Sequence, residues 1–362
     1  MQTTLYKPIH LFLSRFFSTI LAPYFLLLNL FRKSFYLRKI KVQTILVTEM
    51  HRIGDVFIIE PILKSLKINF PEARLILVCC KQVESLARDL SLADEILGID
   101  VPWTNWNWSI SKWISAYSFS QKLRNRNIDL AFDFKGDIRN SWFLWNMKPK
   151  ISFGYDLTGG RYFFTNPIKM NQKIHQRERG FELLQELDGF KREATSLFVS
   201  KKEGSVVIHP GASDKKRSWP KRSWNELIKL LVKNHKVSIV NIESSTSLIK
   251  ELKEENILFE TFSGDLIKFN RWLKKQKIII SPDSMAGHLA AYNGIPSITL
   301  FGSQNPNFTF PISQNSIIIA PNNSCKHKRD HWRLCKECIS SIGVEKVYDE
   351  AINLINKLKN KI

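Results

Sequence analysis

Short apolar runs rich in Val and Ile alternate with helix-length segments twice along this chain, first from Thr44 and again from Ser205. Strand-sized runs that are apolar throughout are buried on both faces, and helical crossovers between them impose parallel pairing. The first series reads as strand TILVTEM, helix VFIIEPILKSLKINF, then strands PEARLILVCC, ADEILGID, IDLAFDF and KPKISFGYDL, with a helix over 176–187. Pro61 marks a kink or a late first turn in the first of these helices. The stretch 103–117, crowded with Trp103, Trp106, Trp108 and Trp113, shows no readable period. The second series reads as strand SVVIHP, helix SWNELIKLLVKN, strand KVSIVNI, helices STSLIKELKEE and FNRWLKKQ, strand KIIISPD, helix MAGHLAAYN and strand SITLFG. Two such series predict an α/β chain with two Rossmann-like, doubly wound parallel-sheet domains. The 362 residues suit that number. The expected division is a basic apolar segment over 1–40, one domain over 41–195 and a second over 196–362, with the linker near 191–203.

Ligands of such sheets bind beyond the carboxyl ends of the strands, so three loops stand out. In EMHRIGDVFIIEP, Gly54 permits a tight turn and Asp55 stands where the helix begins. Asp55 is either an N-cap, the reading that local physics favours, or a carboxylate placed to accept a proton from an acceptor hydroxyl. In IHPGASDKKRSWPKRSW, the small residues Gly211, Ala212 and Ser213 precede Lys215, Lys216 and Arg217. Backbone amides beside cations suit a diphosphate at a helix N-terminus, although the spacing is not that of a Walker loop. The alternative is a solvated basic loop anchored by Trp219 and Pro220. In IIISPDSMAGHLAAYNGIPSITLFG, Asp283 and Ser284 end a buried strand and Gly287 and His288 open an apolar helix. That helix start suits a nucleotide diphosphate; the alternative is a capped helix above a satisfied histidine.

Charge narrows the partners. Lys and Arg number 54 against 33 acids, a net +21, which favours nucleic acid, a phosphorylated glycolipid or an anionic membrane face. Zinc-finger spacing, an RRM-like aromatic motif and an obvious helix-turn-helix are all missing, so no nucleic-acid partner is expected. Five cysteines do not make the dense framework of a secreted disulfide protein and favour a reducing compartment. Cys79 and Cys80 read as core. Cys325, Cys335 and Cys338, with His327 or His331, form either a Cys3His zinc site or, the preferred reading, plain or redox-labile thiols in a basic loop.

The first forty residues stand apart. No acid precedes Glu49, and the uncharged run from Phe16 to Phe31 is 16 residues, short of the ~20 that span a bilayer. A small-x-small cleavage site is missing. The segment reads as an in-plane membrane anchor flanked by basic residues. A helix packed on the enzyme body and a full span are the alternatives.

RIGDVFIIEPILKSLKINFP, HPGAS followed by KRSWP, and SPDSMAGHLAAYNGIPSITLFG resemble, in order and separation, the three signatures of glycosyltransferase family 9, the ADP-heptose:lipopolysaccharide heptosyltransferases. The resemblance covers residues 42–350. It implies the GT-B fold, with two Rossmann-like domains facing across a cleft. It also implies inverting transfer of a sugar, heptose for this family, from a nucleoside diphosphate sugar to a lipopolysaccharide core or related glycolipid. Neither a cofactor nor a catalytic metal is expected, and the place of action is the cytoplasmic face of the inner membrane. Asp55 then matches the general base, Ser213 a phosphate-contacting hydroxyl, and Lys216 or Arg217 the cation on the diphosphate. Asp283, Ser284, Gly287 and His288 match the donor loop, and Glu243 is a candidate for ribose or adenosine contact. Two departures stand out: Arg217 occupies the place where the family commonly has Lys, and Met285 replaces a loop glycine. Rival readings are a same-fold transferase with another donor or polysaccharide acceptor, and a non-catalytic nucleotide-sugar-binding relative.

Overall fold

A computed structural model describes residues 8–33, 35–104, 109–193, 203–321 and 335–359. The chain forms two compact units, Tyr6–Thr195 and Ser196–Ile362. The first runs α1 (Pro8–Leu30), β1 (Thr44–Glu49), α2 (Ile53–Asn69), β2 (Arg74–Cys80), α3 (Lys81–Asp89), β3 (Glu95–Ile99), α4 (Ile110–Arg124), β4 (Leu130–Asp133), α5 (Ile138–Asn146), β5 (Ile151–Tyr155), β6 (Asn166–Ile168) and α6 (Gln176–Leu184). Its six strands lie in the order β3-β2-β1-β4-β5-β6. Every pairing is parallel, with Ile45 of β1 opposite Leu75 on one side and Leu130 on the other. The chain steps outward from β1 to β3 and then returns to β1's free side as β4. The crevice above β1 and β4 is therefore the switch point, where helices leave the sheet on opposite sides and a ligand can sit.

The second unit runs β7 (Val206–Ile208), α7 (Lys221–Leu231), β8 (Val237–Val240), α8 (Thr246–Glu254), β9 (Glu260–Phe262), α9 (Leu266–Leu273), β10 (Ile278–Pro282), α10 (Met285–Tyr292), β11 (Ser297–Leu300), β12 (Ser316–Ile319), α11 (Lys336–Ser340) and α12 (Val344–Lys359). Its parallel sheet has the order β12-β11-β10-β7-β8-β9. Counted from its own first strand, that is the order of the first sheet again, with the switch point between β7 and β10. The two Rossmann-like parallel sheets expected from the βα alternation are what the chain adopts.

Burial explains the strand pattern. The last five residues of β1 and all of β10 are buried, as runs apolar on both faces require. Trp219 and Trp224 meet edge-to-face at 5.0 Å inside the second core, and Trp219 Nε1 donates to the Ile342 carbonyl at 3.1 Å. Trp219 of the KRSWP motif is thus a packing anchor, which holds the end of the basic loop in place.

Elements that the sequence pattern did not reveal include helices α3, α5, α11 and α12, the last of which adds Val347, Ala351 and Leu354 to the second core, and three edge strands. β6 and β9 are three-residue edge strands, too short for an apolar run, and β12 is the opposite edge of its sheet. The unreadable tryptophan-rich stretch resolves into α4, whose Trp113 packs on Trp103 and on Trp142 of α5; Trp106 and Trp108 lie outside the described residues. The helix expected over 176–187 ends at Leu184. Pro61 sits inside α2, in its third turn.

Helix α1 lies against the first unit through a polar and small-residue stripe. Ser14 Oγ donates to the Thr158 carbonyl (2.7 Å), Arg15 Nε to the Leu157 carbonyl (3.1 Å), and Asn29 Nδ2 to the Tyr162 carbonyl (2.7 Å). Gly160 N donates to Ser18 Oγ at 2.8 Å. Gly159, at φ +102°, allows this approach: a Cβ there would sit 2.6 Å from that of Ser18. Phe25 is surrounded by Trp145, Tyr162 and Phe163.

Candidate functional site

Two clusters stand at the two switch points. In the first unit, β1 ends in Glu49 and α2 carries Asp55 in its first turn, while β4 leads into Lys135. Lys135 Nζ lies 2.9 Å from Asp55 Oδ2 and 3.2 Å from Glu49 Oε2. Gln176 Nε2 of α6 approaches Asp55 Oδ1 at 3.4 Å. The helix starts at Arg52, whose side chain makes no capping bond, and Asp55 faces Lys135 instead. The N-cap role that local physics favoured for Asp55 is therefore incorrect. A carboxylate in the first helical turn gains from the helix dipole without capping, and a buried ammonium outcompetes a backbone amide for it.

The electrostatics of this trio are unequal. Burial pushes Asp55 up, but Lys135, with help from Arg52, overrides it and pulls the group down to about 2. Glu49 is wholly enclosed; burial dominates, Lys135 only partly offsets it, and its carboxyl rises to about 8. Lys135 itself is pushed down by burial, yet the Asp55 and Glu49 charges carry it above its ordinary value. Burial, then Lys135, drives His51 down to about 4, so its ring is neutral at pH 7. The outcome is an ionised Asp55 at the mouth, with 16% of its side chain exposed, above a protonated Glu49.

A second layer fixes this cluster. Burial raises Asp133, at the end of β4, to about 7. It accepts from Asn140 Nδ2 at 3.2 Å, and Asn140 Oδ1 accepts from Trp103 Nε1 at 2.6 Å. Asp137 caps α5 through Arg139 N (2.9 Å) and pairs with the Arg139 side chain. Glu49 and Lys135 were not singled out in the sequence. Their signal was positional: Glu49 ends central strand β1, and Lys135 stands two residues past the end of β4, followed by Gly136 (φ +67°).

In the second unit, His209 N of the β7 loop donates to the Ile280 carbonyl of β10 at 3.0 Å, bringing the loops after both strands together. Burial drives His209 down to about 4, leaving it neutral. Arg217 Nη1 lies 3.1 Å from Asp283 Oδ2. Gln304, with its amide oriented to suit its neighbours, accepts from Arg217 Nη2 at 2.8 Å and donates to Asp283. Of the two cations left open by the sequence, Arg217 is the one aimed at the strand ends. Lys216 is exposed, and its backbone N–H is capped by Asp214 at 2.9 Å. Ser284 stands at the N-terminal boundary of α10 but makes no capping bond, and its buried Oγ has no partner among the described residues. Such an orphaned hydroxyl beside helix-start amides is a ready contact for an anion.

The remaining predicted residues are spread more widely. Ser213 is exposed in the loop before Lys215–Arg217, and Glu243 is exposed at the start of the turn after β8. His288 is nearly buried in α10. Gly287 serves packing: a Cβ there would meet Pro311 Cγ and Thr299 Oγ1, both at 2.9 Å. Cys335 and Cys338 are buried, and Cys335 Sγ contacts Glu337 Oε2 at 2.8 Å. Cys325, His327 and His331 lie outside the described residues; among the described residues no three metal-ligating side chains cluster.

Comparison with known proteins agrees with the fold. The family model described as "Glycosyltransferase family 9 (heptosyltransferase)" matches residues 116–338, more than half of the chain. Lipopolysaccharide heptosyltransferase 1 of Escherichia coli O18:K1:H7 is 24% identical over 231 residues, covering 57% of this chain and 69% of the relative. The structure of E. coli heptosyltransferase WaaC with ADP superimposes with a TM-score of 0.69 at 18% identity, over 86% of this chain and 100% of that one. E. coli ADP-heptose lps heptosyltransferase II gives 0.68 at 16% identity, over 88% and 100%.

Proposed function

Because the chain belongs to glycosyltransferase family 9, we propose that this glycosyltransferase moves heptose from ADP-heptose to the core of a lipopolysaccharide or a related membrane glycolipid. The observation that carries the mechanism is the ionised Asp55 held by Lys135 at a switch-point mouth. Support for the donor comes from relatives: one is described with ADP, another as an ADP-heptose transferase.

In this reading Asp55 orients the attacking acceptor hydroxyl and takes its proton as the new C–O bond forms at the anomeric carbon. The bond from that carbon to the diphosphate breaks on the opposite face, and ADP leaves with the electron pair. An acid held so far down is a weak base at rest, so its proton affinity must rise as the acceptor oxygen develops charge. Lys135 is shared with Glu49, which limits how strongly it opposes that rise. At the other switch point, Arg217, the Ser284 hydroxyl and the first amides of α10 receive the diphosphate and stabilise its growing charge. Asp283 would repel a diphosphate; its contribution is to fix the Arg217 guanidinium.

Incubation with ADP-heptose and a heptose-deficient lipopolysaccharide, with GDP- and UDP-sugars as comparators, tests the assignment. Transfer from ADP-heptose, with thermal stabilisation by ADP and not by GDP or UDP, is the expected result. Transfer only from another nucleotide sugar would overturn the donor assignment.

A further inference from the structure

Helix α1 is built inside out. Its protein-facing stripe is Ser14, Ser18, Ala22, Phe25 and Asn29, mostly small or polar, and its outward face is Phe12, Phe16, Ile20, Leu27, Leu30 and Phe31 among others. Phe31 is 84% and Leu30 78% exposed. At 100° per residue the exposed apolar positions cover over half of the helix circumference. A helix facing water on its outer side carries the opposite pattern.

A cluster of cations adjoins the helix's C-terminal end. Arg32 Nη2 donates to the Trp145 carbonyl (2.6 Å), which also accepts from Lys148 N (3.1 Å), and the Arg32 guanidinium stacks 4.4 Å above the Trp145 ring. Arg124, at the end of α4, completes the group: burial and then Arg124 lower Arg32 to about 10, and burial, then Arg124 and Arg32, lower Lys148. Among the described residues none of the three pairs with a carboxylate. Like charges gathered without acids call for an anion.

We propose that α1 and this cluster form a docking face for an anionic phospholipid bilayer, with α1 lying in the membrane plane and Arg32, Arg124 and Lys148 binding lipid phosphate. Ile110, Ile114 and Tyr117 of α4, spaced to share one helical face, are further exposed apolar residues of the same unit. The 23-residue helix is long enough to cross a bilayer, but its contacts to the body run from Ser14 to Asn29, and spanning would strip them all. A second copy is the poorer occupant because it carries the same net charge of +21, whereas acidic lipids attract that charge. The proposal deepens the membrane-glycolipid reading and rests on it for its purpose. Vesicle binding needs neither donor nor acceptor, so either idea can fail alone.

The test is flotation of the full chain with vesicles of phosphatidylcholine alone or mixed with phosphatidylglycerol. Binding should need phosphatidylglycerol, and alkaline carbonate should release it. The triple variant Arg32→Gln/Arg124→Gln/Lys148→Gln should bind on the order of 100-fold more weakly, each charge contributing roughly a factor of five. Phe16→Ser/Leu27→Ser/Phe31→Ser, at exposed sites that leave the fold intact, should also lose binding, while both variants keep transfer to a short soluble acceptor. Binding unchanged by both variants, resistance to carbonate, or a discrete dimer that the serine variant dissolves would each overturn the proposal.

Discussion

Lys135 Nζ bridges Asp55 and Glu49, at 2.9 and 3.2 Å, so one buried ammonium sets the charge of two carboxyls at the end of the central strands. It holds Asp55 ionised while leaving Glu49, the more enclosed of the two, to rise to about 8.

Replacing Lys135 with Met removes the charge that counters the burial of Asp55, so the Asp55 carboxyl moves up. His51, Gln176 and the protonated Glu49 are uncharged, leaving Arg52 as the cation still facing it. The acid limb of kcat/KM should shift to higher pH, with activity falling first at the acid end of the profile. ADP binding should be unaffected, and Lys135→Arg should restore most of the activity. A pH–rate profile of each variant checks this; an unmoved acid limb would count against the coupling.

Glu49 gives the fold a pH dependence. Its carboxyl is held above its ordinary 4.5, so the stability it contributes is complete below 4.5 and is lost as pH rises through about 8. Denaturant unfolding across that window should show stability falling with pH by up to about 1.4 kcal/mol per unit from this group. Glu49→Gln, which keeps the shape and removes the titration, should flatten the slope.

Arg217 and Lys216 should separate cleanly. Arg217→Gln removes a charge-assisted contact of roughly 1.5–3 kcal/mol and should weaken ADP binding about tenfold to a hundredfold. Lys216→Gln, at an exposed side chain, should change it less than about threefold. Calorimetric titration with ADP measures both, and equal losses would show that the ion pair with Asp283 does not select between them.

Much of this architecture was legible because parallel strands buried on both faces write their burial directly into sequence, as TILVTE and IIISP do. Asp283 and Ser284 were visible as polar residues directly after such a run, and Asp55 as the acid opening the helix that follows one. What escaped was pairing across the sheet. Lys135 stands 80 positions from Asp55, and only the adjacency of β1 and β4 joins them. The same holds for Gln304 with Arg217 and Asp283. Gly287 has a reason the sequence did not show: its missing side chain makes room for Pro311 and Thr299. In α1 the apolar composition was plain, yet the polar stripe that faces the body became readable only once its partners, Leu157, Thr158 and Tyr162, were in place.

The account turns on Asp55 as the group that receives the acceptor proton. Asp55→Asn keeps its size while removing the charge, so single-turnover transfer from ADP-heptose should fall by roughly 10²–10⁴-fold, with the ADP dissociation constant unchanged within about twofold. Transfer by the Asn variant at the wild-type rate, with ADP bound normally, would contradict it.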